Sequence, residues 1–145
     1  MNSLRVTVPA TPPVLGRFEA TLDRLCADHG LAVEDRFAME LVLDELVSNV
    51  MRHAGLSASD EIEVTFTLDE DRWGIVVSDP AAAFDPLSLE TPELGAPLEE
   101  RPRGGLGVYL VRRWVDSIDY RREAGRNVVT VQRERSPVAQ SESAT

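Results

Sequence analysis

The sequence predicts an α+β domain, a two-layer α/β sandwich with three helices on one face of a mixed, mainly antiparallel sheet. Two observations carry that prediction. Segments of period-two alternation and segments of helical period follow one another as β, α, α, ββ, loop, α, ββ, and most strands come in neighbouring pairs across short turns. The chain has 145 residues and 43% hydrophobic content, enough for one core that needs no metal or disulfide staple.

Residues 4–8 (Leu-Arg-Val-Thr-Val) alternate apolar with polar and predict the first strand, broken by Pro9, Pro12 and Pro13. A helix is predicted over 14–28, because Val14, Leu15, Phe18, Leu22, Leu25 and Cys26 recur at three- and four-residue spacing before Gly30. A longer helix follows over 34–54 and stops at Gly55. It carries Phe37, Met39, Leu41, Leu43, Leu46, Val50 and Met51 on most of its sides, the mark of a central, buried helix. Residues 61–68 and 73–78 predict a hairpin around Asp69, Glu70, Asp71 and Arg72.

From 79 to 103 periodicity is lost, and Pro80, Pro86, Pro92, Gly95, Pro97 and Pro102 accumulate. A loop of that length inside a small domain is either a functional lid or a surface insertion. Gly104, Gly105 and Gly107 then open a helix predicted over 108–115, and strands at 117–122 and 127–132 flank a turn at Glu123, Ala124 and Gly125. Residues 1–135 form the predicted domain. The polar residues 136–145 are expected to be a disordered tail.

Composition excludes whole classes of chemistry. All 15 basic residues are arginine against 25 acidic ones, a net charge of −10. That balance opposes nucleic-acid binding and attraction to an anionic membrane surface. Without a lysine there is no Walker-type phosphate loop, no strand lysine of an ordinary protein kinase and no Schiff base. Cys26 is alone, and His29 and His53 lack the spacing of a zinc hydrolase. No basic segment followed by an apolar stretch opens residues 1–10, and no run of 18 apolar residues occurs, so a cytoplasmic location is expected.

Three motifs remain. On the long helix, Glu45, Asn49 and Arg52 fall within about 60° of one another, beside a second row of Glu40, Asp44 and Ser48. Such a row faces water, a partner or a ligand cavity. Facing a cavity, Glu45 offers a proton acceptor and Asn49 a metal-coordinating amide. The strand at 73–78 runs into Asp79, which is either a turn former or an acceptor for an exocyclic amine; a carboxylate there favours adenine over guanine. Arg103, Gly104, Gly105, Leu106, Gly107 and Val108 lead into a helix start. They make either a flexible joint or a place where backbone N–H groups approach phosphate oxygens.

Taken in order, Glu45 and Asn49 with Arg52 and His53, then Asp79 with Phe84-Asp85-Pro86, then Gly104 through Val111, resemble the Bergerat-fold (GHKL) ATPases. Phe84-Asp85-Pro86 and Trp114-Val115-Asp116 in a chain of this size are similar to the bacterial anti-sigma factor serine/threonine-protein kinases. The resemblance spans about residues 4–135 and implies the histidine-kinase-like ATPase fold, ATP and Mg²⁺ as cofactors, and a homodimer. It implies Glu45 as general base, Asn49 as the Mg²⁺ ligand and Asp79 as the reader of adenine. Arg52, His53, Ala81, Ala83, Phe84, Arg103, Gly104, Gly105, Leu106, Gly107 and Val108 are the further positions implied to bind the nucleotide, with 87–103 as a lid. The implied substrate is an anti-anti-sigma protein of STAS type, and a sigma factor or similar regulator is sequestered. Phosphoryl transfer by positioning and charge neutralisation suits a chain without lysine.

One motif departs from the pattern. Where the superfamily has glycines after the aspartate, this sequence has Pro80, Ala81, Ala82 and Ala83. A left-handed backbone at Ala81 would cost about 1–2 kcal/mol, and weakened nucleotide binding is the expectation. A binding module that switches partners without phosphoryl transfer is the alternative on the same fold.

Overall fold

A computed structural model describes residues 2–11, 13, 15–53, 55–57, 59–88 and 105–138, with the backbone alone of Leu15, His53, Gly105 and Leu106. The expected lid residues 89–103 and the tail residues 139–145 lie outside the described residues.

The alternating segments form strands β1 (Asn2–Pro9), β2 (Glu61–Leu68), β3 (Arg72–Asp79), β4 (Ser117–Glu123) and β5 (Arg126–Glu134). They make one sheet in the order β1-β2-β3-β5-β4, and every neighbouring pair is antiparallel. Helices α1 (Glu19–His29), α2 (Val33–His53) and α3 (Gly105–Trp114) supply the second layer.

The core lies between the layers, where the alternation of β2 turns Ile62, Val64, Phe66 and Leu68 inward and β3 adds Trp73, Ile75 and Val77. The stripe Ala38, Met39, Val42, Leu43, Leu46, Val47 and Val50 on α2 packs against them. A helix apolar on most sides is thus central, as predicted, although Phe37 at its outer edge is 52% exposed and packs against Trp114 of α3, the rings tilted by 58° with centroids 4.9 Å apart.

The helix predicted over 14–28 is divided. A 3-10 turn covers Leu15–Arg17, and α1 begins only at Glu19. Gly16 weakens a helix interior, and Phe18, with φ −110° and ψ −5°, turns its ring fully into the core against Phe66. At the other end Gly30 closes α1 in a left-handed conformation and donates its N–H to the Cys26 carbonyl at 2.9 Å. The third helix also starts earlier than predicted. Gly105 and Gly107 belong to its first turn rather than to a loop before it.

The far end of β5 is tied to the helices. Ser136 donates its N–H to Asp35 Oδ2 at 2.9 Å, and Arg135 donates to the His29 carbonyl at 2.8 Å. Among the described residues no helix is long and apolar enough to cross a membrane.

Candidate active site

Helical spacing on α2 does what the sequence arithmetic requires. Glu45, Asn49 and Arg52 lie along one side, from half-buried Glu45 through Asn49 at 1% exposure to solvent-exposed Arg52. Arg52 Nη2 donates to Asn49 Oδ1 at 2.6 Å, while Asn49 Nδ2 is buried without a partner. Glu40, in the second row, is engaged elsewhere and accepts from Arg36 Nε at 3.2 Å.

Burial pushes the Glu45 carboxyl above the ordinary glutamate value; Asp44 beside it adds to the rise, and Arg52 opposes it. A base raised in this way holds a proton more readily. The carboxylate also meets the next helix. A Cβ built on Gly107 would lie 1.7 Å from Glu45 Oε2 and 2.5 Å from its Cδ, so glycine lets the first turn of α3 approach this carboxylate in its present rotamer.

At the sheet end, register matters more than spacing. Asp79 and Asn127 are direct partners across β3 and β5, and both are 3% exposed. Asp79 Oδ1 accepts from Asn127 Nδ2 at 3.1 Å and from the Ala81 N–H at 3.0 Å. Among the described residues nothing donates to its Oδ2. Asn127 is a hub: its Nδ2 also reaches the Ala82 carbonyl at 2.9 Å, and its Oδ1 accepts from the Phe84 N–H at 3.0 Å and from the Tyr120 hydroxyl at 2.7 Å. Arg122 donates to the Ala81 carbonyl at 2.6 Å, and Arg126 holds Ser78 Oγ at 2.6 Å.

These bonds correct one expectation. Ala81 does not adopt a left-handed backbone; among the described non-glycine residues only Ala124 has positive φ, 50°. The loop after Asp79 follows a path that suits alanine, pinned by Asn127 and Arg122, and Ala81 carries no strain of that kind.

The two halves meet in a slot. Leu46, Asn49 and Val50 form its α2 wall, Val77, Asp79, Asn127 and Val129 its sheet wall, and Phe84 and Pro86 close it. Only about 10 Å³ is open to a water-sized sphere, against several hundred for a site holding a small ligand. With Phe84 and Pro86 as placed, the slot is too small for a purine. A wider hollow of about 210 Å³ between β1 and α1, beside Arg24 and His29, gathers none of the motif residues.

The structure therefore lines one slot with Asn49, Asp79 and Phe84, bonds Arg52 to Asn49 and Ala81 to Asp79, and sets Gly107 against Glu45. Ala83 is exposed, Val108 is buried, and Gly105 and Leu106 place their backbone in the first turn of α3. Arg103, Gly104 and the His53 side chain lie outside the described residues. Asn127, Tyr120, Arg122 and Arg126 were not anticipated, because residues flanking a tight turn read as turn formers or exposed charge. The donor set suits an adenine nucleotide with a divalent cation: a buried carboxylate with one oxygen that takes no donor among the described residues, an amide oxygen, and a carboxylate of raised basicity. No group of three or more His, Cys, Asp or Glu able to hold a metal on protein ligands alone occurs among the described residues. Mg²⁺ usually keeps waters and phosphate oxygens around one or two protein ligands.

A family model described as a histidine kinase-like ATPase domain matches residues 8–133. The chain belongs to that family. Among relatives of this histidine kinase-like ATPase, Serine-protein kinase RsbW of Bacillus cereus (strain G9842) is 28% identical over 132 residues, covering 88% of this chain and 82% of that protein. Serine-protein kinase RsbW of Bacillus mycoides (strain KBAB4) is 27% identical over the same shares. The crystal structure of the RsbU and RsbW domains of Rv1364c from Mycobacterium tuberculosis superposes with a TM-score of 0.64 at 18% identity over 95% of this chain, which spans 34% of that longer one. Mycobacterial sensor histidine kinase MprB gives 0.53 at 14% identity, covering 93% of this chain and 100% of that one. At these identities the superpositions establish the fold of the ATPase domain.

Proposed function

We propose that residues 1–135 form an ATP-dependent protein serine/threonine kinase of partner-switching type. The domain phosphorylates an anti-anti-sigma protein of STAS type and sequesters a sigma factor or similar regulator, acting as a cytoplasmic homodimer. The observation that supports this most is the shared slot, where Asn49 from α2 and Asp79 from β3 line one cleft. The relatives named Serine-protein kinase RsbW support the choice of a protein hydroxyl as acceptor.

In this reading Asp79 Oδ2 accepts the adenine amine while its Oδ1 stays bonded to Asn127 and Ala81. Asn49 Oδ1 is the metal ligand, and the N-terminal turn of α3 with Gly105 and Gly107 faces the phosphates. Mg²⁺ held by Asn49 would supply charge neutralisation at the phosphates. Glu45 takes the proton of the attacking hydroxyl as its oxygen bonds to the γ-phosphorus, and the bond to the β-γ bridging oxygen breaks with ADP leaving. His53 and Arg103 are assigned to nucleotide binding in this reading on the sequence resemblance alone.

The closed slot favours a second reading, a binding module that switches partners without phosphoryl transfer. One experiment separates them: incubation of the purified chain, ATP and Mg²⁺ with an anti-anti-sigma STAS protein from the same genome, followed by intact-mass measurement. A gain of one phosphate on the partner, lost in Glu45→Ala, supports the kinase. A stable complex with unmodified partner supports the module.

A further inference from the structure

Asn49 uses its two polar ends unequally. Oδ1 accepts the 2.6 Å hydrogen bond from Arg52 Nη2, whereas Nδ2 is buried without a partner. Burying an amide half-bonded on a stripe between Leu46 and Val50 is unfavourable as structure alone. Arg52 gains little from the bond either, because it is exposed and water can satisfy its guanidinium. What the bond achieves is to seat a permanent cation on the one acceptor atom that Asn49 brings to the slot.

That oxygen is the kind of ligand a hard divalent cation takes, at about 2.0–2.1 Å and in near-ideal octahedral geometry. A guanidinium carries five donors and no acceptor, and its planar fork also fits phosphate oxygens. The oxygen has two lone pairs, but two cations on it repel each other, so binding of one weakens the hold of the other. Arg52 lies at the solvent end of the row, three residues from Asn49 on the same helix face, and its flexible stem lets it swing away without disturbing the core.

We propose that Arg52 is a built-in counter-cation for Asn49: it holds Oδ1 in the nucleotide-free protein and competes with the divalent cation for that oxygen, moving to the phosphates when Mg²⁺ and nucleotide bind. The inference rests on the reading of the slot as an Mg²⁺–adenine nucleotide site. It assigns Arg52 a positioning role that sets how strongly nucleotide binding depends on the metal.

Calorimetric titration of ADP into the full chain, once with Mg²⁺ and once with EDTA, tests this through the ratio of the two dissociation constants. In Arg52→Ala the ratio of Kd without metal to Kd with metal rises by at least about threefold over wild type, because the competitor is gone. Arg52→Lys, which keeps a cation on the stem, stays nearer to wild type. Asn49→Ala brings the ratio close to one, and adding Arg52→Ala to it changes nothing further. If Arg52→Ala leaves the ratio at the wild-type value while Asn49→Ala lowers it, Arg52 is not a competitor, although the nucleotide site stands. If Asn49→Ala leaves the ratio unchanged, or the wild type takes up no ADP, the site reading fails and the counter-cation role goes with it. Arg52 is exposed, so its variants fold whichever outcome holds.

Discussion

The two ends of the slot are finished to different degrees. At the sheet end Asp79, Asn127, Tyr120 and the backbone from Ala81 to Phe84 satisfy one another through hydrogen bonds of 2.7–3.1 Å. At the helix end Glu45 is half-buried with raised basicity, Asn49 has an orphaned donor, and its acceptor is taken by an exposed arginine. The difference teaches where stability and chemistry reside. A densely hydrogen-bonded network holds shape, while groups left short of partners among the described residues, Asp79 Oδ2 included, can take a ligand.

Substitutions at the two ends should therefore fail in different ways. Glu45→Ala carries the largest expected effect: transfer to the protein substrate falls by about 10²–10⁴-fold, with ADP affinity within about twofold of wild type by calorimetry. Equal losses in both would place Glu45 in binding instead. Because the carboxyl is raised, the acid limb of the rate profile lies above the ordinary glutamate value, and the rate falls as pH drops through it. Stability runs the opposite way. The ionised Glu45 is disfavoured in the folded chain, a cost fully present above its folded pKa and gone below about 4.5. Glu45→Gln is thus the more stable protein at neutral pH, and thermal melts should show its lead over wild type vanishing in acid.

Asn127→Ala breaks the other end. Four hydrogen bonds go and Asp79 stays buried, so about 2–4 kcal/mol of stability is lost in urea titrations. A loss confined to nucleotide affinity, with stability intact, would erase the contrast between the ends. Gly107→Ala links them. Its Cβ cannot coexist with Glu45 as placed, so the flexible carboxylate must swing to another rotamer, and a slower transfer step with stability changed by less than about 1 kcal/mol is expected. Ala81→Gly has the smallest effect. Without left-handed strain to relieve, ADP affinity should change by less than about twofold, and a clear gain would show that the loop is strained after all.

Legibility in the sequence follows the same division. The row on α2 was readable because helical spacing is local arithmetic, and Asp79 because a strand ended on it. Asn127 was hidden: it stands beside a tight turn, and its meaning comes from a partner 48 residues away that only sheet register brings opposite. Gly107 read as a phosphate glycine, and its contact with Glu45 depends on how α3 docks on α2. The late start of regular helix at Glu19 was missed because the three-residue step from Leu15 to Phe18 suits a 3-10 turn as well as an α-helix. Register, docking and loop path are tertiary, and periodicity carries none of them.

Competitive calorimetry of ATP and GTP on wild type and Asp79→Asn probes the slot as a whole. Wild type should bind ATP in clear preference to GTP, and Asp79→Asn should weaken ATP by at least about tenfold while narrowing that preference. Absence of ATP binding at millimolar concentration, or a preference untouched by Asp79→Asn, would mean that α2 and β3 do not enclose an adenine nucleotide.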